Sequence, residues 1–322
     1  VIVWCITVPA LLVVFLYAVN TGSLKVTPVQ LFKGLFIAYN PQVATVYDLR
    51  FPRIIVAMLG GAATAVSGVL LQAVMKNPLA DPGIIGVSSG ASFVAVLVTA
   101  FVPSLYFYTP ILAFIGGMAA FIMVYGFSWK GGLSPLRIIL VGVAVNAMFT
   151  GLMSAFNSST GSSYSGVSSI VNANITMKTW SDVRILFVYT AIGLIASVFV
   201  LGKCNLLALE DKTARSIGVN VTGTRITVSV IAVLLASIST AVIGPISFLG
   251  LIVPHIARLL VGSNHKVLVP YSIVLGALML LCADTLGRTI AAPYEISASV
   301  IMSVIGGPFF IILLRRSKKN YG

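Results

Sequence analysis

The sequence predicts an all-α integral membrane protein with about ten transmembrane helices, and three observations predict it. Of its 322 residues, 58% are hydrophobic and 8% charged, about a third of the charged share of an ordinary soluble domain. The mean hydropathy is +1.07, so a soluble globule of this composition would expose more apolar surface than water tolerates. Apolar runs of spanning length recur along the chain without the ten-residue alternation of a membrane strand. Helices are then the remaining way to satisfy the backbone in lipid. Together these exclude a soluble enzyme, a nucleic-acid binder and a disordered tail.

Spans are predicted at 1–19, 52–75, 84–102, 108–128, 136–157, 184–203, 226–244, 246–263, 267–287 and 297–315, each near the roughly 20 residues that cross a ~30 Å hydrocarbon core. The first run leads on without a small-residue cleavage motif, so it reads as a span and not a signal peptide. The chain starts at Val1 and not Met, which predicts a short preceding piece. Residues 20–51 form a loop with an amphipathic stretch from Thr27 to Phe36, Thr27 being a suitable N-cap before Pro28. The second span carries GGAATAVSG from Gly60 to Gly68, a small-residue face suited to close packing.

That span ends at Asn77-Pro78-Leu79-Ala80-Asp81-Pro82-Gly83, where two prolines and a glycine forbid a continuous helix. After the fifth span, the tract NSSTGSSYSG opens a long loop over 157–183 and reads as flexible connection. The sixth span gives way to a loop at about 205–222, whose short helix ends at Gly218 with acids early and bases late. The eighth span is short and contains His255 and Arg258; the ninth places Asp284 and Arg288 one helical turn apart. Ten spans use about 200 residues, so residues 1–322 form one transmembrane domain with no room for a separate soluble one.

Twenty Lys and Arg against seven Asp and Glu give a net charge of +13. These bases lie between apolar runs, where they orient a chain in the bilayer. An even number of spans puts both termini on one side, and Arg315, Arg316, Lys318 and Lys319 mark that side as cytoplasmic. Thirteen of the twenty bases fall there; Lys25, Lys33, Arg50, Arg53, Lys178, Arg184 and Arg288 fall outside. Cys5, Cys204 and Cys282 are scattered, which implies neither a disulfide framework nor a metal site.

Four patterns carry candidate function. Arg50-Phe51-Pro52-Arg53 reads either as interfacial snorkelling or as a docking point for a partner's carboxylates. Asn77–Gly83 with the following Ser88-Ser89-Gly90 reads either as a turn or as a gate, because broken backbone at membrane depth belongs against protein or a water path. The stretch Leu206–Asn220, with Glu210, Asp211, Ala214, Arg215 and Gly218, reads either as a helix lying on the membrane or as one inserted into a partner's groove. Gly244–Arg258 includes His255, which reads as a hydrogen-bonded structural histidine, since no second ligand lies near it in sequence. No GxxxxGK[ST] or HExxH occurs, so neither a P-loop nor a zinc-protease site is encoded.

Taken in this order, the motifs resemble the FecCD family, permease subunits of type II ATP-binding-cassette importers for ferric siderophores, haem and cobalamin. RFPR is similar to the family's R-L-P-R with Phe51 in the Leu slot, and VSGVLLQAVMKNPLADPGIIGVSSGAS, LLALEDKTARSIGVN, GPISFLGLIVPHIAR and IGGPFFIILL are similar to family segments. The resemblance runs from Arg50 to Leu314 and implies a ten-helix permease that pairs with a second, identical permease subunit. It implies that Arg50, Arg53 and Arg288 receive acids of a substrate-binding lipoprotein. It also implies that the helix of Glu210, Asp211, Ala214, Arg215 and Gly218 couples to an ATPase homodimer, and that Asn77, Leu79 and Ser134 form an inner gate. ATP and Mg would sit on the partner ATPase; no cofactor, metal or catalytic residue is expected in this chain, and no nucleic-acid partner. The stretch VNANITMKTWSDVRIL lacks the family's frequent Gly-Ser and, with LYFYTPILAFIGG, resembles Gram-positive haem-uptake permeases. Haem is therefore the expected cargo, with Tyr106, Tyr108 and Met177 as candidate contacts and a ferric siderophore or cobalamin as alternatives. A secondary transporter driven by ions would instead need carboxylates or broken helices near the midplane; Asp284, near one end of its span, is the only carboxylate to consider.

Overall fold

The computed structural model describes residues 2–22, 24–128, 135–160 and 167–317, and the described residues contain helices and turns but no strand. In chain order the helices are α1 (Ile2–Asn20), α2 (Pro28–Phe36), α3 (Pro41–Leu49), α4 (Phe51–Met75), α5 (Val87–Phe101), α6 (Thr109–Ser128), α7 (Pro135–Thr160) and α8 (Val167–Val171). They continue with α9 (Trp180–Val198), α10 (Leu201–Leu207), α11 (Asp211–Ser216), α12 (Val221–Ile243), α13 (Leu249–Val261), α14 (His265–Ile290) and α15 (Ala298–Ser317). Nine of the predicted spans each fall on one of these helices, and the tenth, 184–203, divides between α9 and α10. Among the described residues, seven helical stretches are long and apolar enough to cross a membrane, and α5, α13 and α15 add three shorter apolar helices.

α4 is the axis of the bundle, packed by α14, α12, α13 and α9 and buried along most of its length. Its small residues explain the closeness. A Cβ on Gly61 would stand 2.3 Å from the Gly276 carbonyl oxygen of α14, and one on Gly68 would stand 2.0 Å from that of Gly250 in α13. Backbone therefore meets backbone, as close membrane-helix packing requires. Buried hydroxyls add short bonds across the seam with α12, Thr64 to Ser239 at 2.9 Å and Ser67 to the Ala232 carbonyl at 2.6 Å. α1 stays at the rim, joined to α14 through Thr7 and Tyr271 at 2.8 Å, with Ile2, Ile6, Leu12 and Val13 exposed for lipid.

Local chemistry accounts for most boundaries. Thr27 and Gln30 form the capping box that starts α2. α3 lies in what reads as plain loop in the sequence; Asn40 Oδ1 accepts the Gln42 and Val43 N–H groups, and Pro41 takes the first turn. α7 continues through Thr160, so the first four residues of the Ser/Gly tract are helix, while 161–166 lie outside the described residues. α9 stops at Val198 and a turn separates it from α10, where the sequence predicts one span to 203. α5 and α13, of 15 and 13 residues, are too short to span alone. Each follows a non-helical stretch rich in Pro and Gly, residues 76–86 and 244–248, which takes up part of the depth.

Candidate functional site: the two ends of α4

The candidate residues gather at the two ends of α4, about 37 Å apart at 1.5 Å per residue. At its start, Arg53 is 7% exposed. Its Nε donates to Asp284 Oδ1 and Oδ2 at 3.0 and 3.1 Å, its Nη2 to Oδ1 at 2.8 Å, and its Nη1 to Glu295 Oε2 at 2.8 Å. Glu295 Oε2 also accepts from Thr176 Oγ1 at 2.8 Å. The predicted turn-spaced pair forms too: Arg288 Nε stands 3.2 Å from Asp284 Oδ2. Its N–H is not aimed for a hydrogen bond, so this contact is electrostatic. Burial alone would raise the Glu295 carboxyl, but the hydrogen bond and charge of Arg53, with Thr176, hold it below its usual 4.5.

Arg50 sits one turn away and spends Nη1 on the Val19 and Leu24 carbonyls at 2.6 and 2.7 Å. The three arginines of the sequence reading thus share one end of the molecule. Two of them are tied into an internal ion network, and a cavity of about 280 Å³ opens beside it between Arg53, Glu295 and Asn174. Glu295 is the member that sequence reasoning missed. It lies 242 residues from Arg53, and no local pattern links them; only the scarcity of acids in so apolar a chain singles it out.

At the other end, α4 closes on Lys76 in the left-handed conformation, and the Asn77–Gly83 break follows as predicted. Asn77 is 2% exposed, and its Oδ1 accepts the Leu79 N–H at 2.9 Å; Leu79 is half-buried. Asp81 is fully buried, its Oδ1 accepting the Gly83 and Ile84 N–H groups at 2.8 and 3.0 Å. The third gate candidate, Ser134, lies outside the described residues.

Beside this break sits α11. It is shorter than the helix predicted over this loop, because Ala208–Glu210 separates it from α10. Its end is as predicted: the Gly218 N–H bonds the Arg215 carbonyl and the Val219 N–H the Ala214 carbonyl, both at 3.0 Å, with Gly218 at φ +84°. That is the Schellman closure, which favours glycine at this place. Ala214 is 1% exposed and faces the bundle, whereas Glu210, Arg215 and Gly218 are exposed. Asp211 ties α11 to two long helices, with Lys76 Nζ and Arg225 Nη2 each 2.9 Å from its Oδ1. The Lys76 hydrogen bond, outweighing partial burial and joined by the Arg225 and Lys76 charges, holds the Asp211 carboxyl below its usual value. Neither Lys76 nor Arg225 was singled out in the sequence.

Other candidates are placed differently. Tyr106 donates to Asp182, Tyr108 is exposed, and Met177 is 90% exposed in the left-handed region at φ +61°. His255 packs edge-on against Phe309. Among the described residues, no group of three His, Cys, Asp or Glu side chains stands together as a metal site.

The model of the FecCD transport family matches residues 10–316. The chain is 43% identical over 300 residues to the "Probable heme-iron transport system permease protein IsdF" of Staphylococcus aureus (strain Newman), covering 93% of this chain and 91% of that one. Among solved structures it resembles "An inward-facing conformation of a putative metal-chelate type ABC transporter", with a TM-score of 0.76, 27% identity, and 96% and 97% of the two chains covered. It also shares a fold with PsaBC from Streptococcus pneumoniae in complex with Fab, at a TM-score of 0.59 and 18% identity over 89% and 95% of the two chains.

Proposed function

The chain belongs to the FecCD transport family and is a multi-pass permease subunit of an ABC transporter; from that premise we propose that its cargo is haem, carried into the cell through the cell membrane. Both termini lie in the cytoplasm in this reading. The permease pairs with a second copy of itself and with an ATPase homodimer that holds ATP and Mg, and a substrate-binding lipoprotein delivers the cargo. Hydrolysis takes place on the ATPase and no covalent chemistry in this chain. What supports haem over a ferric siderophore or cobalamin is the relative of 43% identity, whose name specifies heme-iron.

The observation that carries the mechanism is the Lys76–Asp211 contact. α11 has an exposed face for a partner's groove, and its first residue is bonded to the residue that ends α4 and precedes Asn77. A displacement of α11 by the ATPase is thereby delivered to the Asn77–Leu79 break, which acts as the gate. At the opposite end, the receptor's carboxylates meet Arg50 above a largely buried cluster in which Arg53 and Arg288, with Arg50, outnumber Asp284 and Glu295, so the face carries net positive charge. The network leaves N–H groups of Arg53 unused, so docking adds acids without unmaking the internal pairs.

Proteoliposomes holding the chain, its ATPase and its receptor, offered haem and a ferric hydroxamate side by side, test the reading. Accumulation of haem that requires ATP is expected. Uptake of hydroxamate alone would replace the cargo and keep the importer. Arg50→Glu tests docking without breaking the buried ion network: receptor affinity should fall, and the loss should shrink as salt is raised, because exposed charges are screened over about 8 Å at physiological ionic strength. Unchanged docking would remove Arg50 from the receptor face.

A further inference from the structure

The end of the bundle that carries α11 holds a second feature, centred on Arg258, a residue to which the transport mechanism assigns no role. Arg258, near the close of α13, is half-buried, and its Nη2 donates to Gln72 Oε1. All seven carboxylates of the sequence lie in described residues, yet none of them is within ion-pair distance of this guanidinium. A cavity of about 330 Å³ opens on it between the end of α4, α10, the end of α13 and the start of α14. Lys76, Asn77 and His265 line the same cavity, and no acid does.

Two of these groups are already used in part. Lys76 bonds Asp211 at the rim, and His265 Nδ1 is 2.8 Å from Asn205 Oδ1. Asn77 is different. It is 2% exposed, its Oδ1 is taken by the Leu79 N–H, and its Nδ2 has no partner. A buried amide donor left unpaired and a half-buried cation left uncompensated are both costly in isolation. The cation opens on the cavity, whose volume lies in the range that holds small ligands, while the Asn77 amide is closed off within its wall.

We propose that this cavity binds a phosphate-type oxyanion. The Arg258 guanidinium holds it by charge-assisted hydrogen bonds, and the Lys76 ammonium adds charge at the rim. The occupant is either free phosphate or the phosphate of an anionic lipid headgroup at the same membrane face, since both present the same oxygens. Its effect is to brace α13 against Lys76 at the end of α4. The inference is independent of the cargo.

The test uses the full chain, without ATPase, in nanodiscs of phosphatidylcholine alone or mixed with phosphatidylglycerol, and radiolabelled inorganic phosphate as probe. Saturable phosphate binding is expected in phosphatidylcholine discs. Competition by phosphatidylglycerol assigns the site to a headgroup; binding equal in both discs assigns it to free phosphate. Arg258→Gln should weaken binding about tenfold or more, the scale of one lost hydrogen bond to a charged group. Ala208→Asp places a carboxylate on the cavity wall. It should abolish phosphate binding and raise the thermal midpoint in phosphate-free buffer, so the test stands even if Arg258→Gln does not fold. Absence of saturable binding together with a midpoint indifferent to phosphatidylglycerol would overturn the proposal, as would wild-type binding by either variant.

Discussion

Both ends of α4 carry a cation bound to a distant carboxylate, but the two pairs live in different media. The side chains of Arg53 and Asp284 are 9% and 1% exposed, whereas those of Lys76 and Asp211 are 33% and 37% exposed. Breaking a buried pair by removing one partner costs about 3–5 kcal/mol, because the survivor is left charged in a poor solvent. Breaking an exposed pair costs about 0–1 kcal/mol. The same chemical contact is therefore a fixed closure at one end and a tie of low cost at the other. In the proposed mechanism, the tie of low cost is the junction that moves with α11, and the fixed closure is the wall against which the receptor docks.

The comparison is broken most sharply at Asp284. Asp284→Asn leaves the buried Arg53 and Arg288 guanidiniums without their shared acid, and a loss of about 3–5 kcal/mol is expected, read as a lower thermal midpoint and poor recovery of the folded chain. A midpoint within a degree or two of wild type would show that this end is not a closure at all. Asp211→Asn should change stability by no more than about 1 kcal/mol, yet transport per ATP hydrolysed should fall, since α11 loses its ion pairs with Lys76 and Arg225. Full coupling in that variant would move the junction elsewhere. The smallest effect concerns acid. Glu295 titrates below 4.5 in the folded chain because of Arg53, so its contribution is complete above that pH and is lost as pH falls through the depressed value. Midpoints measured from pH 6 to pH 3 should decline less steeply in Glu295→Gln than in wild type.

How much of this was legible in the sequence follows from the range of the interactions. Pro78 and Pro82 act on their own neighbours, so the break after α4 is readable directly. So are the Thr27 cap and the Gly218 closure, each a matter of a few residues. The Asn40-Pro41 pair carries the same kind of signal, an N-cap followed by proline, and could have revealed α3. The stop of α9 at Val198 is hidden because apolar composition continues to Leu201, and composition cannot see a turn. The ion pairs are hidden for another reason. Arg53 meets Glu295 across 242 residues, and Lys76 meets Asp211 across 135. Nothing periodic connects such partners; the folded bundle alone brings them together. Sequence reasoning therefore located the three arginines and the local Asp284–Arg288 pair, but neither the reach of Arg53 to Asp284 and Glu295 nor the attachment of α11.

The glycine contacts along α4 constrain motion as well as distance. Where one backbone rests on another at Gly61–Gly276 and Gly68–Gly250, there is no cushion of side chains to deform. A slide of α4 along either partner would drive a Cβ-bearing neighbour into a carbonyl. α4, α13 and α14 are in this sense keyed together like splines on a shaft. Displacement arriving at one end is then transmitted along the set with little lost to bending, and in the proposed mechanism the change of shape falls to the thinner elements at its circumference.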